Sequence, residues 1–270
     1  MKSRVKLLAA PYLAWLLIFT IVPLCVVVYF AFTDADGHVT LANLGAMRDY
    51  LPTFADSLLL AAISAAICLL IGYPTAYAIT RAPASRQRFL ILLIMLPMCM
   101  SFLLRTLALV ALLEDQGILN NILSAVGLGR VTLIRRPAAV VAGMVYNYLP
   151  YMIMPLHSVL VKLDGKLIEA AQDLGCSRLR VLLRVILPLS VPGIISGVTM
   201  VFVPAVSTFY ISKKLGGTST AMIGDIIESQ FKTSYNLNAG AAMSLVLMII
   251  VFICMGIMNR FTGDSEVDLL

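Results

Sequence analysis

Hydrophobic and polar positions fall in long blocks along this chain, not in the short periods of a soluble fold. Six apolar stretches stand out, at about 7–32, 57–80, 89–113, 138–161, 185–211 and 239–258, joined by connections that hold most of the charge. Each is long enough for a helix to cross a bilayer core, which takes roughly 20 residues. The pattern predicts an all-α polytopic membrane protein with six transmembrane helices, in one domain over residues 1–270. The first stretch follows Lys2, Arg4 and Lys6, as a signal peptide would. Its apolar run is too long for a signal core and no small-residue cleavage site closes it, so an uncleaved span is expected.

Composition removes the soluble alternatives. Hydrophobic residues make up 60% and charged residues 13% of the 270, against roughly 45–50% and about 25% in soluble domains. So little charge cannot keep a globule of this size in water, which excludes a soluble enzyme, a disordered chain and a fibre. The net charge of +6 would point to nucleic acid if it were spread evenly, but its location gives it another meaning. With the N-terminus inside, twelve Lys and Arg fall in inner segments (2, 4, 6, 81, 86, 88, 162, 166, 178, 180, 184 and 260). Seven fall in outer ones (48, 130, 135, 136, 213, 214 and 232), and Arg105 lies within the third span. Basic residues favour the cytoplasmic side, so both termini are expected there and no nucleic-acid partner is. Cys25, Cys68, Cys99 and Cys254 sit in apolar stretches and Cys176 in a basic loop, which makes no disulfide framework.

Prolines at 23, 74, 97, 150, 155, 192 and 204 fall within or beside spans and forecast bends. Gly193 and Gly197, four apart, forecast a close helix–helix approach.

The connection at 162–188 carries the most information. Leu163, Leu167, Ala170 and Leu174 share one face of a short helix, with Glu169 and Asp173 elsewhere, and Gly175 supplies the positive φ that ends it. Leu179, Leu182, Leu183 and Ile186 recur at helical spacing with Arg178, Arg180 and Arg184 around them, and Pro188 marks entry to the fifth span. Two short helices at a glycine turn make a knob fit for a groove on a cytosolic partner.

Glu169-Ala170-Ala171, Gly175 and Val185-x-Leu187-Pro188 resemble the EAA loop of binding-protein-dependent ABC importer permeases, with Val185 in place of isoleucine. The resemblance extends over nearly the whole chain and narrows to the spermidine/putrescine permeases. It rests on Gly72-Tyr73-Pro74, Leu104-Arg105, Gly117-Ile118-Leu119-Asn120, the stretch from Leu149 to Leu156, Pro192-Gly193-Ile194, Phe209-Tyr210, Gly216-Gly217, Ile223-Gly224 and Gln230-Phe231. It implies the type I importer permease (MetI-like) fold in a bacterial inner membrane. It also implies a coupling loop of Glu169, Ala170, Ala171, Asp173, Gly175, Arg178, Leu187 and Pro188 that docks on an ATPase. No G-x-x-x-x-G-K-[ST] occurs in the chain, so ATP and Mg are expected on that separate partner and no cofactor or metal on this chain. The implied partners are two P-loop ATPase subunits, a second homologous permease in a heterodimer, a periplasmic or lipid-anchored solute-binding protein, and membrane lipid. The subunit itself is expected to catalyse nothing.

A polyamine carries separated ammonium groups on an apolar stem, so aromatic faces and carboxylates suit it. Tyr146, Asn147, Tyr148 and Tyr151 in the fourth span, Phe209 and Tyr210 near the outer end of the fifth, and Asp225 and Glu228 on a helical stretch at 222–231 form the candidate path. Tyrosines at this depth also serve as interfacial anchors, and outer acids as solvated groups. Arg105 would repel a cation and lies far enough along its span to snorkel outward. It is read as a structural residue hydrogen-bonding between helices, whereas an anionic solute would make it a candidate ligand. The same permease class also serves opines, amino-acid derivatives, organophosphonates, thiamine or iron. A secondary transporter would need intramembrane acids for ion coupling, and the spans contain none well inside them.

Overall fold

Proline, glycine and the length of each apolar block decide where the helices begin, bend and stop. The computed structural model describes residues 11–12, 15–34, 36–127, 129–217 and 220–267, with side chains as far as Arg260. Among these residues the regular structure is helical, apart from an isolated antiparallel bridge between Thr33 and Val39. The helices are α1 (Leu17–Ala31), α2 (Ala42–Thr80), α3 (Ala84–Cys99), α4 (Phe102–Leu113), α5 (Ile118–Ala125), α6 (Pro137–Leu160), α7 (Gly165–Asp173), α8 (Arg178–Leu189), α9 (Val191–Val206), α10 (Ile223–Lys232) and α11 (Leu237–Val267).

Helices α2, α6 and α11 are each long and apolar enough to cross a membrane, whereas α1 is apolar but shorter. The start of the first predicted span lies outside the described residues. The third and fifth predicted spans are broken helices. α3 meets α4–α5 at 89°, where Pro97 tightens the last turn and Met100 and Ser101 turn extended. α8 meets α9 at 66° at Ser190. Pro188 and Pro192 lack the amides that the carbonyls of Arg184 and Pro188 would accept from, so the ladder opens on both sides of Ser190. The fifth helix then ends at Val206 and not near 211, and after a short break a π-helical turn follows at Ser212–Gly216.

The chain divides into two compact units, one of residues 1–54 and 226–251 and one of 55–225 and 252–270. In the first, the amide of Asn43 donates to the carbonyl of Thr33 at 2.8 Å and that of Asn238 to the carbonyl of Phe30 at 3.2 Å. These amides satisfy carbonyls that the end of α1 leaves open. Asp34 Oδ1 accepts the amides of Asp36 and His38, and Gly37 takes φ +84°, which closes a turn after α1.

In the second unit α6 and α9 make the most extensive contact. Gly193, Gly197, Val201 and Ala205 form the buried stripe of α9, one per turn. A Cβ on Gly193 would lie 3.0 Å from Val159, and one on Gly197 2.7 Å from Met152 Sδ. The close approach forecast from these two glycines is present, and it sets how near the broken fifth helix comes to the fourth. A second tie fixes α10, whose first amide, on Ile223, donates to Ser57 Oγ at 2.8 Å in a buried site.

Candidate functional site

The knob is built by local chain chemistry. Asp164 caps α7 by accepting the Lys166 amide at 3.0 Å. At the other end Gly175 takes φ +81°, its amide donates to Gln172 O at 2.8 Å, and Cys176 N donates to Ala171 O at 3.1 Å. This pair of bonds around a left-handed residue is the Schellman closure, which turns the chain sharply into α8. The glycine predicted to make the turn does so.

The expected grouping of residues holds in α7 and breaks in α8. Leu167, Ala170 and Leu174 do share a side of α7, but it is the outer one, with Leu167 at 51% and Leu174 at 86% exposure. Ile168 and Ala171 make the packed side. In α8 the packed residues are Val181 and Ile186, while Leu179 and Leu183 are exposed. The cause is a π-helical turn at Leu182–Ile186, which adds a residue to the turn and brings positions five apart onto one face. The knob therefore shows Leu167, Leu174, Leu179 and Leu183 outward, beside exposed Glu169, Asp173 and Arg178. Four exposed leucines on so small an element are apolar surface that the rest of the chain does not cover. Leu187 is half-buried and Pro188 exposed at the start of the fifth helix.

The candidate path residues are only partly gathered. Tyr148 and Tyr151 meet edge to face with ring centroids 6.3 Å apart. The Tyr148 hydroxyl, beside that of Thr208, donates to the Pro204 carbonyl at 3.3 Å, which ties α6 to α9. Tyr148 is buried and Tyr151 is open, so the pair runs from core to surface. Asn147 is buried and its amide donates to Gly143 O at 2.9 Å, so it shares no open surface with Tyr151. Tyr146 lies apart, in an apolar hollow with Leu60, Ile63 and Val145. Phe209 is exposed, and Tyr210 packs on Phe102 at 6.2 Å with the Lys214 ammonium 6.0 Å from its ring. Asp225 caps its own helix by accepting the Met222 amide at 2.8 Å, and Glu228 pairs with Lys232 at 2.9 Å.

Arg105 departs from expectation. It does not snorkel out but is 5% exposed, and its Nε and Nη1 have no hydrogen-bond partner. Sequence reasoning also missed the bond between the Tyr73 hydroxyl and Ser190 Oγ at 3.0 Å, which braces the break in the fifth helix. No periodicity signals a pair so far apart in the chain.

Residues 68–263 match the family described as binding-protein-dependent transport system inner membrane component, and the chain belongs to this family. It is thus a multi-pass, non-catalytic permease subunit of an ABC importer of the bacterial inner membrane. The spermidine/putrescine transport system permease protein PotB of Haemophilus influenzae is 35% identical over 256 residues, 91% of this chain and 90% of that protein. PotB of Escherichia coli is 35% identical over 247 residues, 88% of this chain and 90% of that one. Among solved structures, a bacterial ABC transporter that imports the acidic polysaccharide alginate superposes with TM-score 0.78 at 18% identity, over 97% of this chain and 96% of that chain. The methionine transporter MetNI, in an inward-facing conformation, gives 0.60 at 17% identity, over 80% and 98%. The type I importer permease fold follows from these matches.

Proposed function

We propose that this chain moves a polyamine, spermidine or putrescine, into the cytoplasm as one of two permeases in an ATP-driven importer. The observation that carries the substrate is the 35% identity to PotB across nine-tenths of both chains. The Tyr148–Tyr151 pair and exposed Phe209 supply aromatic faces that suit a cation with an apolar stem. Arg105, which would repel it, is withdrawn into the helix packing.

In this reading residues 1–270 act as a single permease domain with six crossings, both termini and the knob being cytoplasmic. The companion is a homologous second permease. Two P-loop ATPase subunits bind ATP and Mg, and a periplasmic or lipid-anchored binding protein delivers solute. Closure of the ATPase pair pulls the docked knobs and rocks the permeases between inward- and outward-open states. The exposed leucines of α7 and α8 enter the ATPase groove, Ala170 permits close approach, and Glu169 and Asp173 meet basic groups. The Gly175 closure keeps the knob rigid enough to transmit the pull.

Uptake of labelled spermidine and putrescine by a strain lacking its own polyamine importers, carrying this chain with its transport partners, tests the substrate. Saturable uptake that unlabelled polyamine suppresses, and opines, organophosphonates and thiamine do not, is expected. Suppression by one of those solutes and not by polyamine would assign the permease to that solute.

A further inference from the structure

Between the end of α2 and the knob lies a cleft whose knob side includes Arg178 and Leu179, residues of the coupling loop. It has a volume of about 590 Å³ and is lined by Tyr77 and Arg81 at the end of α2, Ile168 and Gln172 of α7, and Arg178 and Leu182 of α8. Arg81 is held in place: its guanidinium stands 4.9 Å from the centre of the Tyr77 ring and donates to the Tyr77 hydroxyl at 2.6 Å. Neither Arg81 nor Arg178 has a carboxylate partner among the described residues. Two cationic groups thus line one cleft without an anion. A smaller hollow of about 290 Å³ shares Tyr77, Arg81 and Ile168 and extends to Thr80 and Leu160. Those two residues end α2 and α6, each long and apolar enough to cross a membrane, so the hollow and the cleft that adjoins it lie at the ends of two membrane-length helices.

We propose that this cleft binds the headgroup of one anionic phospholipid, its phosphate between Arg81 and Arg178 and its glycerol and upper acyl carbons against Ile168, Val181 and Leu182. Guanidinium groups suit phosphate oxygens through charge and multiple N–H donors. Two guanidiniums over an apolar floor select a lipid of net negative charge, and basic pockets between helix ends at the cytoplasmic face are where such headgroups bind. An acidic protein segment matches the charge alone. A lipid also matches the apolar lining and the position at the helix ends. Bound there, the lipid links the end of α2 to both knob helices and makes their relative position sensitive to anionic lipid. That consequence rests on the coupling role proposed above; the binding itself does not.

The test counts phosphatidylglycerol retained by the purified importer complex, by native mass spectrometry and by titration into phosphatidylcholine nanodiscs. The double variant Arg81→Gln/Arg178→Gln is expected to lose about tenfold or more in affinity. Arg88→Gln, an exposed arginine outside the cleft, should change little. Arg81→Lys/Arg178→Lys, which keeps the charge, should retain most of the binding, and an unfolding temperature of the glutamine variant equal to wild type excludes a folding defect. Equal retention by wild type and the glutamine double variant would overturn the proposal. Displacement of the lipid by millimolar inorganic phosphate would overturn it in favour of a free-phosphate site. Unchanged lipid binding with loss of the ATPase from the purified complex would make the cleft a protein contact instead. Because binding is read without transport, a failed coupling role cannot be mistaken for a failed lipid site.

Discussion

Gly197 has no room for a side chain: a Cβ there would meet Met152 Sδ at 2.7 Å and the Met152 carbonyl oxygen at 3.2 Å. Gly197→Val should therefore force α9 off α6 and cost about 1–3 kcal/mol, read as a lower unfolding temperature in detergent. Gly256→Ala in α11 is the contrast, since nothing lies within 4 Å of that Cβ; it should leave stability unchanged or slightly raised. Gly175 belongs to a third kind. Its Cβ would point into open space, but its φ of +81° penalises any L side chain by about 1–2 kcal/mol. Gly175→Ala is thus expected to loosen the knob and reduce ATPase co-purification, with the membrane helices intact. Gly175→Asn should recover part of the loss, because asparagine tolerates this conformation. Both glycine roles were legible from spacing alone. The placement of Arg105 was not: a charge inside an apolar run can snorkel or be enclosed, and the neighbours that decide between these come from residues distant in the chain.

At the scale of elements, the sequence specified where helices stop better than which side they bury. The knob's two helices and their turn follow from Asp164, Gly175 and the leucine spacing. The α7 leucines share a side as their spacing implies, but periodicity does not say whether that side meets its own chain or a partner, and here it is the outer one. The π-turn at Leu182–Ile186 added a further shift that regular helical counting does not contain. The exposed face carries a prediction. Leu174 is 86% exposed, so Leu174→Asp should leave the unfolding temperature of the isolated permease within about 1 °C of wild type. The same variant should abolish ATPase co-purification, measured by pull-down from solubilised membranes. A large loss of stability would mean that Leu174 packs within the permease. Of the prolines that forecast bends, Pro97 and Pro192 lie at the broken spans, whereas Pro74, Pro150, Pro155 and Pro204 sit inside helices that run on through them. The 89° and 66° bends depend on tertiary packing that single-chain patterning cannot supply.

For the whole molecule, hydropathy and composition were enough to give a polytopic membrane protein, and the resemblance carried by the EAA-like loop gave the subunit type and the bacterial inner membrane. The substrate path was the least legible part. Tyr146, Asn147 and Tyr151 lie within six residues of one another, yet helical rotation sends them to an apolar hollow, the buried core and an open surface respectively. Proximity in a helix is not convergence on a site. The central claim is that transport depends on force passed through the knob to a permease that is inert alone. ATP-dependent accumulation of labelled putrescine in proteoliposomes tests it most directly. These would contain this chain, its companion permease, the ATPase and the binding protein, with either wild type or Leu174→Asp. Accumulation should require ATP with the wild type and fall to background with Leu174→Asp, at equal amounts of inserted permease. Accumulation without ATP, or at the wild-type rate with Leu174→Asp, would contradict the claim.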